Sequence, residues 1–555
     1  MSLKTNRLSI FLILFSALMV SSAFFTLSYP KISFGIMMPF SLVPLFIGVR
    51  KIALQNCTQS IFSICKKSIL LFWFFGIVLQ LISFFWITKP IIYFGAVPTP
   101  LAYILFVFIS ILSAFFFPLL FSPFIFSLCY EHKFSGKKIF ILAIALAITF
   151  MEIILPRFFD WSFGGLLSSS VVFSQLESLF GFNTGSLFIF VTSLTLASLS
   201  RNNIRPLLTC SAVFLLVISF GAWRVSTLNK IFASGPKFRV AFVQPNFTFN
   251  SLANLPLPSV NSQRQSFSRM LEMSKNTIQK AAAFDGKKPD LLVWPESTAP
   301  DFFLSTPWQI NAVTKFSQQT GVPFLIQATE IKPDDLKKIR FENIPIWSSS
   351  VIVNSSGLVP QFFQKWIPMP FGEEFPLENK LPILGTWYRA FFKNASKMER
   401  GSSYNSLPIQ KNKVFVTPLI CFDSIDQELS YLSAKKGQAS FFVNQANFVW
   451  MVDSNAGLEL SLLDQMRAIE NGKSVVVASN TGPSLAFDPL GQLIFPPTTL
   501  LTQEFNFVDI PLYTGKTLFQ TVYKWPLVIL GILSICYFIY ITRKSYIYEK
   551  QLNTK

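Results

Sequence analysis

The chain has 555 residues, but only 14% of them are charged and 51% are hydrophobic, with 64 phenylalanines. Soluble globular chains carry about 25% charged residues, so a wholly soluble protein is excluded. The net charge of +19 does not argue for nucleic acid, because the basic residues flank apolar runs as bilayer topology requires.

Stretches of about 20 apolar residues can cross a bilayer. Seven lie before residue 225, at 8–28, 32–49, 68–88, 99–129, 138–156, 182–200 and 205–223, and an eighth covers 526–542. The fourth is long and carries Pro118 and Pro123, which kink or tilt a helix. The Phe- and Gly-rich stretch 157–181 reads as a re-entrant or interfacial loop. With the N-terminus inside, the cytoplasmic segments hold Lys4, Arg7, Arg50, Lys51, Lys66, Lys67, Lys133, Lys137, Lys138, Arg201, Arg205, Arg543, Lys544, Lys550 and Lys555. The short outer loops hold only Lys31, Lys89 and Arg157. This asymmetry sets the orientation, with both termini cytoplasmic. Cleavage of the first span as a signal peptide would invert the pattern, so the span is expected to remain.

The expected organisation is a membrane domain over 1–224, a globular domain outside the cytoplasm over 225–525, and a final span with a basic tail over 526–555. The globular part alternates strand and helix signals. Phe238–Pro245, Leu291–Trp294, Pro323–Gln327, Val414–Ile420, Ser440–Val443 and Ser474–Ala478 read as strands. Gln263–Phe284, 424–436 and 457–471 read as helices, and the alternation predicts an α/β sheet covered by helices.

The single histidine, His132, lies in a basic loop. No Ser-His-Asp triad, Cys-His dyad or His-rich zinc site can be built on the globular part, and no metal or cofactor is expected. The cysteines are Cys57, Cys65, Cys129, Cys210, Cys421 and Cys536. All but Cys421 fall in spans or at their cytoplasmic edges. Cys421 closes an apolar strand before a helix expected from Ser424, whose N-terminus would favour the thiolate and supply backbone N–H groups to an oxyanion. The plain alternative is a small buried core residue. A cysteine nucleophile without histidine needs a carboxylate or an amine as its base. Glu296, after Leu-Leu-Val-Trp-Pro, and Lys365, within Phe-Phe-Gln-Lys-Trp-Ile-Pro, both sit amid apolar residues. They suit that chemistry, or a structural ion pair.

Val-Trp-Pro-Glu at 293–296, Lys365 followed by Pro-Phe-Gly-Glu at 370–373, and Leu-Ile-Cys-Phe-Asp at 419–423 resemble the three signatures of the nitrilase superfamily. Joined to membrane spans, the layout resembles the apolipoprotein N-acyltransferase family. Met-Arg-Ala-Ile-Glu-Asn-Gly at 466–472 and Ser-Asn-Thr-Gly at 479–482 agree. The resemblance implies a polytopic α-helical membrane domain plus an α/β nitrilase-like four-layer α-β-β-α sandwich in a bacterial inner membrane, its catalytic domain periplasmic. It implies Cys421 as nucleophile, Glu296 as general base, Lys365 with the Phe422 amide as oxyanion holder, and Glu373 as a supporting acid. The acyl donor would be a membrane phospholipid and the acceptor the α-amine of a diacylated apolipoprotein.

Phe422, Asp423, Phe448 and Trp450 are the expected substrate-binding residues. The apolar run 448–451, and Trp387-Tyr388 with Phe391-Phe392 beside Arg389 and Lys393, suit a membrane-facing arm. The chain departs from the family pattern at Phe422-Asp423, where Tyr-Glu is usual, and at Asn444-Gln445-Ala446-Asn447-Phe448, where Asn-Asp-Ala-Trp-Phe is usual. It also has no Trp soon after Gln244-Pro245-Asn246. A membrane-tethered nitrilase-like hydrolase and a non-catalytic nitrilase-like scaffold are the alternatives. A transporter is disfavoured by the few ionisable groups within the spans.

Overall fold

The computed structural model describes residues 2–27, 35–54, 60–129, 138–157, 161–199, 203–247, 260–299, 303–331, 346–375, 380–391, 398–410, 413–451, 454 and 456–553. Lys31, Cys57, His132, Lys133, Lys137, Arg201, Phe392, Lys393 and Lys555 lie outside these. The chain divides into two compact units, one of 1–85, 100–226 and 521–555, the other of 86–99 and 227–520.

The first unit is helical. Its main elements are α1 (Ser2–Leu27), α2 (Val43–Ala53) and α3 (Ile61–Ser83). After α4 (Thr88–Tyr93), which belongs to the other unit, come α5 (Thr99–Ser113), α6 (Lys138–Ile154), α7 (Asn183–Ala197) and α8 (Arg205–Ser234). By length and apolarity, Gly35–Ala53, Ile61–Ser83, Thr99–Leu120 and Arg205–Ser234 qualify as membrane spans among the described residues. Arg7–Ser22, Phe140–Ile154 and Trp525–Ile541 are shorter apolar helices. Val171–Phe180 and Asn183–Ala197 meet at a 115° bend.

The stretch expected as a re-entrant loop is a run of buried short helical turns, Gly164–Leu167, Val171–Ser174 and Glu177–Phe180. The Glu152 carboxylate, 1% exposed, accepts the Phe163 amide at 3.1 Å and the Asn183 side chain at 3.0 Å. A buried charge persists only with such partners. Gly164 lets this turn lie against α7, since a Cβ there would stand 1.9 Å from the Phe182 carbonyl oxygen.

The second unit holds two six-stranded sheets. Its strands are β1 (Lys237–Gln244), β2 (Leu291–Trp294), β3 (Phe324–Ile331), β4 (Ile346–Asn354), β5 (Gly357–Gln364), β6 (Leu407–Gln410), β7 (Val414–Ile420), β8 (Phe441–Ala446), β9 (Val475–Ser479), β10 (Leu485–Phe487), β11 (Leu493–Phe495) and β12 (Glu504–Pro511). One sheet has the order β12-β1-β2-β3-β4-β5, the other β11-β10-β9-β8-β7-β6.

In the first sheet, β1, β2 and β3 are parallel, and the antiparallel steps to β4 and β5 return β5 to their direction. In the second, β7, β8 and β9 are parallel. β1 and β12 pair antiparallel from Lys237 opposite Pro511 to Gln244 opposite Glu504.

Side-chain alternation explains the layers. Phe238, Val240 and Phe242 of β1 join Val416, Phe441 and Val476 in the core between the sheets, with the Phe238 and Phe441 rings in contact. Ala241 and Val243 turn the other way, against Phe267, Met270 and Met273 of α9 (Val260–Asp285). Val313 of α10 (Pro307–Thr320) completes that layer. On the far side, α12 (Gln427–Lys435) and α13 (Ala456–Asn471) cover the second sheet. The result is the expected four-layer α-β-β-α sandwich. Between the layers in sequence, α11 (Pro382–Phe391) leaves Ile383 83% and Trp387 63% exposed. α14 (Trp525–Asn553) ends the described chain within the helical unit.

Candidate active site

The parallel strands of both sheets end at the same cluster of side chains. Glu296 follows β2 across Pro295, and the turn continues through Ser297 at φ +57°. Gln327 on β3 secures that turn, accepting the Ser297 amide at 2.7 Å while donating to Ser348 at 2.8 Å. Lys365 follows β5, with its own amide donated to the Ser348 carbonyl at 2.8 Å. Cys421 follows β7 at φ +51°, a left-handed conformation that costs a non-glycine residue about 1–3 kcal/mol. The strain turns the chain sharply from strand into the 3₁₀ turn Cys421–Ile425.

The Lys365 ammonium is 2% exposed and donates at 2.9 Å to Glu296 and at 2.9 Å to Glu373. Glu373 also accepts the Met369 amide at 2.7 Å. The Cys421 thiol lies near enough to Glu296 and to the Asn447 backbone N–H for both to bear on its charge. All three residues suggested by the strand ends therefore meet, together with Glu373.

Burial raises the Glu296 carboxyl above the ordinary range, Lys365 opposes this, and repulsion from Glu373 adds to it. Burial alone would lower Lys365, but the Glu296 and Glu373 carboxylates more than reverse that and keep it a cation. Burial, and then the Glu296 charge, push the Cys421 thiol well above its ordinary value. This corrects one expectation from the sequence. The regular helix starts only at Gln427, and the resting thiol is protonated rather than a thiolate. Such a cluster suits a cysteine that passes its proton to a carboxylate at the moment of attack.

The expected substrate-binding residues divide. Phe422, Phe448 and Trp450 line a narrow, nearly filled cleft beside Cys421, with Leu460 and Leu463. Asp423 is fully buried and is not among the lining residues. It accepts the Trp366 and Ile367 amides at 2.9 and 2.8 Å and the Ile420 amide at 3.1 Å. It thus ties the segment after Lys365 to the strand before Cys421. Burial raises its carboxyl to about 7. A wider, open depression lined by Arg264, Arg269, Glu272 and Gln503 contains none of the triad.

Several supporting residues carry no local sequence signal. Gln445 on β8 accepts from Ser350 at 2.6 Å and donates to the Trp294 carbonyl at 2.6 Å. It therefore bridges the two sheets immediately before Glu296. Its only sequence signal is the departure from the family pattern noted above. Asn444 donates to Ser424 at 2.7 Å and to Asp464 at 2.9 Å, beneath the cleft. Asn480, in the Ser-Asn-Thr-Gly segment, donates at 3.0 Å to the side chain of Asn447, whose backbone N–H bears on the thiol. Arg467, in the 466–472 segment, donates to the Ile425 carbonyl at 3.3 Å.

Two family models match the chain in order: an apolipoprotein N-acyltransferase N-terminal domain over 21–195 and a carbon-nitrogen hydrolase over 365–516. These two matches, with the relatives below, support an apolipoprotein N-acyltransferase of the nitrilase superfamily.

The chain is similar to an apolipoprotein N-acyltransferase from Brucella melitensis, 27% identical over 285 residues, which are 51% of this chain and 50% of the relative. Another, from Pseudomonas syringae pv. tomato, is 24% identical over 339 residues, 60% of this chain and 61% of the relative. The chain thus spans about half the length of the first of these and somewhat more of the second. A nitrilase-superfamily protein of Saccharomyces cerevisiae, solved by crystallography, aligns with 50% of this chain and 90% of its own at 17% identity and a TM-score of 0.35. The matched hydrolase range opens at Lys365 and includes Glu373 and Cys421. Glu296 precedes it, so its place in the cluster rests on the hydrogen bond from Lys365 and its nearness to Cys421.

Proposed function

We propose that this protein transfers a fatty acyl chain from a membrane phospholipid, through a Cys421 thioester, to the α-amine of the diacylglyceryl-cysteine that begins an apolipoprotein. The observation that carries the reading is the buried cluster itself. A protonated cysteine, a carboxylate near it and a cation on that carboxylate meet at the ends of β7, β2 and β5.

In the first half-reaction, Cys421 Sγ attacks the ester carbonyl as Glu296 takes its proton. Lys365 and the Phe422 amide hold the oxyanion. The proton on Glu296 then leaves with the lyso-lipid alcohol. In the second, the amine attacks the thioester, Glu296 takes one amine proton, the C–S bond breaks and the proton returns to sulfur. Glu373 shares the Lys365 charge and keeps Glu296 basic. Phe448 and Trp450 accept the start of the acyl chain. The reading places residues 225–525 on the periplasmic side of a bacterial inner membrane, between seven spans and one, with both termini cytoplasmic. The exposed apolar face of α11 supports a bilayer-facing site.

Mass spectrometry of the full-length protein after incubation with phospholipid tests the reading. The expected result is an acyl mass on the peptide containing Cys421, and N-acylated product once a diacylated lipopeptide is added. Cys421→Ala should lose the adduct and at least about 10³-fold of the rate. N-acylation by Cys421→Ala would overturn the mechanism. Fatty acid released with no acylated peptide would identify a hydrolase instead.

A further inference from the structure

The connection between α3 and α5 divides unexpectedly, because residues 86–99 belong to the globular unit. α4 packs against the turn Val449–Met451, and Trp86, Trp450 and Leu460 all pack against the same hydrophobic core of the globular unit. The Trp86 indole N–H donates at 2.9 Å to Glu459, the residue before Leu460 on α13. Among the described residues Trp86 is the only hydrogen-bond partner recorded for the Glu459 side chain, and burial raises its carboxyl to about 8. A half-buried acid with one donor is costly to keep unless that contact serves an arrangement. The contact adjoins the cleft through its neighbours: Leu460 follows Glu459, Trp450 lies in the turn that α4 packs on, and both line the cleft beside Cys421.

We propose that Trp86 is a positioning residue for the acyl-binding cleft: its bond to Glu459 and the packing of α4 on Val449–Met451 hold Trp450 and Leu460 in place, so that segment 86–93 sets which acyl chains Cys421 accepts. The proposal rests on the acyl-transfer reading above. The ligand is a linear alkyl chain, because the wall offers Phe448, Trp450, Leu460 and Leu463 and little polar surface. Each methylene buried there favours binding about fourfold, so a displaced wall changes discrimination between chain lengths before it changes the chemistry. Trp86 touches neither the thiol nor its proton relay.

The test compares thioester formation by the full-length protein from dilauroyl and dipalmitoyl phosphatidylethanolamine, read by intact mass. Wild type should discriminate between the donors in kcat/KM. Trp86→Phe keeps the ring and removes the donor, and should move the ratio at least about fivefold toward unity with a smaller change in kcat. Glu459→Leu should do the same, whereas Glu459→Gln, which keeps an accepting oxygen, should restore the wild-type ratio. A purely structural role would slow both donors equally and lower the thermal transition, leaving the ratio unmoved. That result, in both Trp86→Phe and Glu459→Leu, overturns the proposal. A wild type that forms thioester without discriminating overturns this proposal alone. A wild type that forms none from either donor overturns the acyl-transfer reading as well.

Discussion

Burial acts on the three residues of the site in different directions. It raises Glu296 and Cys421, and it would deprotonate Lys365 if the two carboxylates did not face it. Burial thus makes Glu296 a stronger base than a solvated carboxylate, facing a thiol that holds its own proton. Since Glu296 must be ionised to accept the proton, kcat/KM for thioester formation should rise with pH through a limb above the ordinary carboxylate range. Glu373→Gln removes a repelling charge and leaves Lys365 to Glu296 alone. Both changes favour the ionised form of Glu296, so the limb should move to lower pH. A limb that stays in place would show that Glu373 does not tune the base, and one that moves up would show that its repulsion of Glu296 is not the governing effect.

At this scale the sequence was informative wherever a reactive residue closes an apolar run. Glu296, Lys365 and Cys421 each stand at such an end. It misled at Asp423, whose position beside the nucleophile suggested substrate contact although its oxygens accept three backbone amides. Asp464 and Asn444 left no trace, because their partners lie on other elements and no spacing rule links them.

Among elements, legibility followed burial on both faces. β2 and β7 coincide with their predicted runs because parallel central strands are apolar throughout. β4, β5, β6, β10, β11 and β12 passed unread. They form the antiparallel flanks of the sheets, and residues such as Ser348, Ser349 and Ser350 on β4 break the apolar pattern while being buried by hydrogen bonds. The membrane elements were legible by composition, though several predicted spans consist of short helices separated by turns.

Gln445 shows what such polar contacts achieve. It is fully buried and is the side chain through which β8 reaches both β4 and the carbonyl before Pro295. Gln445→Ala would strand the Ser350 hydroxyl and the Trp294 carbonyl, at a cost of about 1–3 kcal/mol. The expected outcome is a lower thermal transition and slower thioester formation, since Glu296 loses its anchor from the second sheet. An unchanged transition with unchanged acylation would remove Gln445 from the positioning of the site.

For the whole molecule, charge and hydropathy identified a membrane part and a globular part, and the structure separates two compact units. The assignment of 86–99 to the globular unit was invisible in sequence, where those residues read as the end of one span and the outer loop before the next. Orientation is open to direct measurement. A fluorescent reporter fused after Lys555 should mature in the cytoplasm and glow. An alkaline phosphatase fused within the polar surface of 227–520 should be active only if that unit is exported. The opposite pair of results would invert the proposed topology.

The antiparallel pairing of β1 with β12 sets Lys237 directly across from Pro511. The globular fold therefore begins and finishes at neighbouring points, about 5 Å apart. A domain whose two ends are adjacent behaves as an insertable cassette. It can be placed between two helices without demanding any particular separation of them. Gain or loss of the two-sheet core in a single genetic event is therefore geometrically permitted, whereas residues 86–99, which join the same unit from an earlier point in the chain, would be acquired separately.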